Sequence, residues 1–241
     1  MSEIITSKDN AKVKMAFKEK EGKGDYFLAE GFHLVEMAVA NHRAEMIFSL
    51  KDYASDVPNY LVTPEIIAKL SSTVSPEGIV AFCKKSPANP PSNSRLLYLD
   101  DVRDPGNVGT LLRTALAFGF HDVVLSRSSA EAYASKVLLA SQGAIFSLNL
   151  KESEQTPEED IRDLKARGYR VVVTDLKAAL PPEEIKTLDA PLALVLGNEA
   201  RGVDPEVVAL ADQAVRIPMS GIDSLNVAIA GGILMYLLAR K

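Results

Sequence analysis

Residues 192–204, LALVLGNEARGVD, and residues 215–230, VRIPMSGIDSLNVAIA, decide how the second half of this chain folds. In each, a strand-like apolar run breaks at a turn rich in Gly, Asn, Ser or Glu and then enters a helical pattern. Residues 99–120, LDDVRDPGNVGTLLRTALAFGF, show the same arrangement earlier in the chain. In open α/β sheets, ligands settle just beyond the carboxyl ends of strands, where loop backbone and helix N-termini converge. Three turns of this kind predict one ligand site on a parallel sheet.

Outward from these segments, strand-like runs at 96–99, 122–126, 144–150, 170–174, 192–196 and 214–217 alternate with helical patterns. The helices fall near 107–118, 130–141, 157–167 and 204–210, with a last one at 224–239. Such alternation predicts an α/β fold with a mostly parallel sheet and helices on both faces. Gly119 and Gly168 stand where left-handed C-terminal caps are expected. The stretch SPANPPSNS, residues 86–94, carries three prolines and reads as a linker. It separates a first domain over 1–85 from a second over 95–241. The first reads as a small α/β unit: a charged helix near 9–20, strands at Tyr26–Ala29, Glu45–Ser49 and Ile79–Cys83, a helix over Phe32–Ala40, and another opening at Thr63–Pro64.

Composition narrows the function classes. The chain has 241 residues, 47% of them hydrophobic and 24% charged, which is ample for a core. Its single cysteine, Cys83, excludes a disulfide framework and a cysteine-based zinc site. The histidines at 33, 42 and 121 show no ligand spacing, so no metal is expected. The first residues, MSEIITSKDNAKVK, lack the apolar core of a signal peptide. The apolar run from Leu225 to Ala239 is broken by Asn226 and by Gly231–Gly232, and falls short of the about 20 residues of a bilayer span. A cytoplasmic location with no membrane partner is expected. The formal net charge of −5 argues against wholesale nucleic-acid coating. Residues 8–23 nonetheless hold six lysines against three acids, a local +3 (6 − 3). Charge by itself suits a solvated helix face or a nucleic-acid footprint.

At the turns, several residues have two readings. Asn107 suits the N-cap of the helix that follows or a ligand contact. Arg113 lies off the stripe Val108, Leu111, Leu112, Ala115, Phe118 and beside small residues, which suits a phosphate or open solvent. Glu199 suits a ribose contact, a turn cap, or a pair with Arg201. Ser224 makes a sensible N-cap, which would place Asn226 in the first turn of an otherwise apolar helix, where a polar side chain needs partners. No Ser-His-Asp arrangement, GxGxxG or GxxxxGK[ST] string occurs, which disfavours ordinary dinucleotide binding and P-loop hydrolysis.

With these residues in hand, the chain resembles the SpoU (TrmH-type) family of RNA ribose 2′-O-methyltransferases in the SPOUT superfamily. The resemblance rests on Asp104 through Ala115, on Leu194 through Gly202, and on Ile217–Pro218–Met219 followed by Ser224 through Ala228, in family order. It implies a C-terminal trefoil knot, an exception to the rule that chains do not thread loops. It also implies S-adenosylmethionine cradled by backbone around Leu196, Gly197, Ile217, Met219 and Leu225, and a homodimer through the C-terminal domain. Arg113, Asn107, Glu199, Ser224 and Asn226 match the family's functional polar positions. Residues 5–36 are similar to the RNA-binding domain that precedes many members, which would place Lys8, Lys12, Lys14 and Lys18 on RNA together with Arg113. The implied activity is methylation of a ribose 2′-hydroxyl, in ribosomal RNA first. Transfer RNA, or a non-catalytic role in ribosome assembly, stand as alternatives.

Overall fold

The computed structural model describes residues 3–91, 94–185 and 190–239. Ser92 and Asn93 of the expected linker lie outside the described residues. In chain order the first part forms β1 (Glu3–Ile5), α1 (Ala11–Lys18), β2 (Tyr26–Glu30), α2 (Phe32–Ala40), β3 (Ala44–Ser49), β4 (Asn59–Val62), α3 (Pro64–Leu70) and β5 (Ile79–Lys84). The remainder forms β6 (Arg95–Leu99), α4 (Pro105–Ala117), β7 (Asp122–Leu125), α5 (Ser135–Ser141), β8 (Asn149–Glu152), α6 (Pro157–Ala166), β9 (Arg170–Thr174), β10 (Leu192–Leu196), α7 (Pro205–Leu210), β11 (Gln213–Val215) and α8 (Val227–Ala239).

These elements make two compact units, Met1–Pro87 with Glu131–Ser147, and Ala88–Ala130 with Leu148–Lys241. The division differs from the expected 1–85, 86–94 and 95–241 in two respects: the boundary falls between Pro87 and Ala88 without a separate linker, and α5 and its flanks join the first unit. The reason for the second is aromatic packing. Tyr133 and Phe146 set their rings 4.9 and 6.0 Å from that of Phe27, so the apolar face of this segment is spent on the first core. The apolar run expected as a strand at 144–150 is corrected by the same contact. Gln142 and Gly143 both take left-handed backbone, Ala144–Phe146 form a 3-10 turn, and the strand begins only at Asn149. A short apolar run reads alike as a buried turn or a strand.

The first unit carries a five-stranded sheet ordered β1-β4-β3-β5-β2. Its β1–β4 and β3–β4 pairs are parallel, and its β3–β5 and β2–β5 pairs are antiparallel. The strands β1 and β4 were not expected, because three and four residues are too few to show a period.

The second unit carries a six-stranded sheet ordered β11-β9-β10-β6-β7-β8, parallel at every pair. The mostly parallel α/β sheet is therefore as expected. At its centre β10 runs beside β6 in step, from Leu192 against Arg95 to Leu196 against Leu99. Strands buried on both faces read as unbroken apolar runs, which explains LALVL and the buried LLYL of β6. Helix α4 starts where Asp104 accepts a hydrogen bond from the Asn107 N–H, with Pro105 in the first helical position. Gly119 and Gly168, at φ 77° and 87°, follow α4 and α6 in left-handed backbone as expected. Helix α6 opens on a capping box between Thr156 and Glu159. No described helix is long and apolar enough to cross a membrane.

One buried polar anchor ties β6 to α6. The Tyr98 hydroxyl donates to Asp160 Oδ2 at 3.0 Å, and Asp160 Oδ1 accepts from Ser153 Oγ at 2.8 Å and Lys151 Nζ at 3.2 Å. Tyr98→Phe deletes one bond to a buried carboxyl and is expected to lower stability by about 1–3 kcal/mol. A urea-denaturation midpoint indistinguishable from wild type would show that this bond contributes nothing.

Candidate functional site

The site is built where β6 and β10 end side by side. Past Leu99, the Asp100 N–H donates to the Leu196 carbonyl at 2.8 Å, and Asp100 Oδ2 accepts from the Asp204 N–H at 2.8 Å. Burial pushes the Asp100 carboxyl above the ordinary carboxylate range, against the lowering effect of that N–H. The loop after β10 folds back on itself: Asn198 and Gly202 exchange backbone hydrogen bonds at 3.0 and 2.9 Å. At Gly197 a side chain would strike the backbone of Gly202 and Val203, so glycine is required by close approach.

Capping chemistry then orders the three turns. Asp104, not Asn107, caps α4, which frees the Asn107 side chain. Likewise α8 begins at Val227 rather than 224, and Asn226 is its cap. Asn226 Oδ1 accepts from the N–H groups of Ala228 and Ile229 at 2.9 and 3.3 Å. With its oxygen spent, the Asn226 amide can only donate onward, and it does so to Asn107 Oδ1 at 2.9 Å. Asn107 Nδ2 in turn donates to Glu199 Oε1 at 2.9 Å, and that oxygen also lies 3.4 Å from the Asp104 N–H. A single hydrogen-bonded chain, Asn226 to Asn107 to Glu199, thus crosses all three motifs.

The two cap expectations, Asn107 for α4 and Ser224 for the last helix, are corrected. An Asp directly before Pro was the legible signal for the first. Ser224 is exposed on the preceding loop and makes no side-chain hydrogen bond with a described residue. The pairing weighed for Glu199 and Arg201 is also corrected: Arg201 pairs with Asp101, because the hairpin at 198–202 turns its guanidinium to that side.

The remaining predicted residues fall as follows. Arg113 is exposed on α4, and no hydrogen bond or ion pair joins it to a described residue; Val108, Leu111, Leu112 and Ala115 are buried beneath, with Gly109. Leu196 is wholly buried and its carbonyl is taken by Asp100. Ile217, Met219 and Leu225 are half-buried along the loop between β11 and α8. In the first unit Lys8, Lys14 and Lys18 are exposed and Lys12 half-buried. Lys12 and Lys14 form ion pairs with Glu3 at 3.0 Å and Asp9 at 2.9 Å. Cys83 is buried, which pushes its thiol up to about 12 and removes it as a nucleophile. A cavity of about 240 Å³ beside α6, lined among others by Lys151, Asp160 and Arg167, includes none of the motif residues. Among the described residues no group of His, Cys, Asp or Glu could hold a metal ion.

A model of the SpoU rRNA Methylase family matches residues 94–236. The chain is 34% identical over 244 residues to the 23S rRNA (guanosine(2553)-2′-O)-methyltransferase RlmP of Bacillus subtilis, covering 96% of this chain and 97% of that protein. It is 32% identical over 258 residues to an uncharacterised tRNA/rRNA methyltransferase of Synechocystis, covering 98% and 93%. Among solved structures, the AdoMet-bound rRNA methyltransferase of Sinorhizobium meliloti superposes with a TM-score of 0.85 at 28% identity, covering 99% of this chain and 98% of that one.

The cap and the relay can be separated by substitution. Asn226→Ala removes both, and is expected to cost about 1–2 kcal/mol. Asn226→Ser keeps a good cap without the amide donor and should recover roughly half of that loss. Equal unfolding midpoints for the two variants would show that the cap contributes nothing.

Proposed function

The chain belongs to the SpoU rRNA methylase family, and from that premise we propose that it transfers a methyl group from S-adenosylmethionine to a ribose 2′-hydroxyl of structured RNA, ribosomal RNA first. The observation that carries this reading is the unbroken chain Asn226–Asn107–Glu199, which gathers three motifs beside an exposed Arg113.

The residues present fit the methyl donor. Half-buried apolar side chains at Ile217, Met219 and Leu225 suit a nucleoside, and around Gly221 a Cβ would meet nothing within 4 Å, leaving the loop backbone open. S-adenosylmethionine supplies a methyl group on a positive sulfur, which takes the bond's electron pair as the carbon passes to oxygen. The protein's task is then to align the ribose oxygen and to assist loss of one proton. A guanidinium keeps its proton near neutral pH, so Arg113 does not serve as a free base. It clamps a target phosphate and stabilises the negative charge that builds on O2′. The proton leaves to a phosphate oxygen or to water. Asn107 holds its amide toward the ribose, oriented by Glu199 on one side and Asn226 on the other, while Ser224 offers a free hydroxyl to the substrate. Leu196 and Gly197 shape the floor of the donor site.

The same reading places RNA on the first unit through Lys8, Lys12, Lys14 and Lys18. It takes the second unit as a trefoil knot, supported by the return of the 216–226 segment from β11 to the α4 turn before α8 begins. It makes the chain a homodimer through α8, supported by Ile229, Ile233 and Tyr236, which are large, apolar and exposed on that helix. The cytoplasm is the location this chemistry fits.

Radiolabelled methyl transfer into unmodified ribosomal and transfer RNA, followed by mapping of 2′-O-methyl sites, tests the reading. Arg113→Ala should abolish transfer while S-adenosylmethionine affinity changes less than about three-fold, and Arg113→Lys should also be poor because lysine lacks the bidentate fork. Near-normal turnover by Arg113→Ala would sink the assigned role. Failure of the wild-type chain to bind S-adenosylmethionine in calorimetry would favour a non-catalytic assembly factor. RNA affinity should fall as salt rises. A flat response across a ten-fold salt range removes the lysines from the footprint.

A further inference from the structure

Asp101 is held more tightly than its place on an exposed turn requires. It adopts left-handed backbone at φ 59°, one of three described non-glycine residues to do so. Its N–H donates to Ser126 Oγ at 2.9 Å and its carbonyl accepts from Asn198 Nδ2 at 2.9 Å. Both carboxylate oxygens are taken as well. Oδ1 accepts from Arg103 Nε at 2.7 Å, and Oδ2 accepts from an Arg201 terminal nitrogen. Strained backbone persists where the surroundings over-determine it, and it gathers at functional sites.

The two arginines differ from Asp101 in exposure. The Asp101 side chain is 13% exposed, whereas those of Arg103 and Arg201 are 62% and 68% exposed. A guanidinium has five N–H donors, and each arginine spends only one nitrogen on Asp101. The neighbouring carboxylates each spend one oxygen on the chain and stay exposed: Asp104 caps α4, and Glu199 receives Asn107. What the turn offers an anion is therefore a pair of fork-shaped guanidinium groups with donors to spare. Arg103 precedes Asp104 directly, and Arg201 lies two positions beyond Glu199, so the pair flanks the relay from both motifs.

We propose that Asp101 is a positioning residue that sets Arg103 and Arg201 as a paired grip for backbone phosphates of the RNA strand flanking the target ribose. The proposal rests on the reading of the chain as an RNA ribose methyltransferase. Fixing a guanidinium beforehand reduces the entropy lost when phosphate binds, and a bidentate fork sets direction as well as affinity.

The test uses the full chain with an unmodified 23S rRNA transcript, S-adenosylmethionine and labelled methyl readout. The double variant Arg103→Gln with Arg201→Gln should raise KM for RNA ten-fold or more. It should also flatten the dependence of log binding constant on log salt by roughly 1.4–1.8, two phosphates' worth. S-adenosylmethionine affinity and the thermal midpoint should stay near wild type, which excludes collapse of the loops. Asp101→Asn, which still tolerates left-handed backbone but loses its ion pairs with both arginines, should raise KM for RNA about three-fold and turn over at least five-fold more slowly. An unchanged KM and salt slope in the double variant overturns the phosphate grip. Wild-type turnover in Asp101→Asn overturns the positioning role. If the wild-type chain places no methyl on RNA, the reading beneath the proposal falls, and the proposal with it.

Discussion

A side-chain amide has one donating end and one accepting end, and helix α8 uses up the accepting end of Asn226. That single commitment sets the direction of every bond that follows. Asn226 is left only a donor, so Asn107 must meet it with oxygen and turn its own nitrogen to Glu199. Reversing any one amide would put two donors or two acceptors face to face. The orientation of the candidate catalytic groups is thus inherited from the start of a helix, where unpaired N–H groups must find an acceptor.

Bonds of this kind contribute about 0.5–1.5 kcal/mol each and cannot assemble three loops by themselves. The scaffold brings them within reach. Strands β6 and β10 run parallel and in step, so their carboxyl ends finish level, and Asp100 then stitches one end to the other. Helix α8 sits close over this floor because residue 231 is glycine. A Cβ there would lie 2.5 Å from Leu111 Cδ2 and 2.6 Å from Leu196 Cδ1. Sheet register and one missing side chain place Asn226 opposite Asn107.

The charges around the relay differ in how many partners the chain gives them. Carboxylates at positions 100, 101, 104 and 199 all accept hydrogen bonds from the chain, while Arg103, Arg113 and Arg201 stay exposed. A chain with an overall charge of −5 can in this way still present three exposed guanidinium groups around the relay. Net charge describes solubility; the local arrangement describes the partner.

Much of this was legible beforehand. Apolar runs at 96–99 and 192–196, flanked by glycine turns and helical periods, mark a parallel sheet because strands covered on both faces have no polar side to show. The motif residues stood out as polar side chains at glycine-rich turns, and the family resemblance supplied their expected roles. Local patterning failed where partners are distant in sequence. It could not see that Tyr133 and Phe146 would carry α5 into the first unit, that Asp101 would claim both Arg103 and Arg201, or which asparagine would cap which helix. Composition and period determined most of the longer elements, but not β1, β4 or the turn at 144–146. Only the tertiary structure decided the pairings, since a hydrogen bond depends on which groups the folded chain brings within 3 Å, and sequence distance carries no such information.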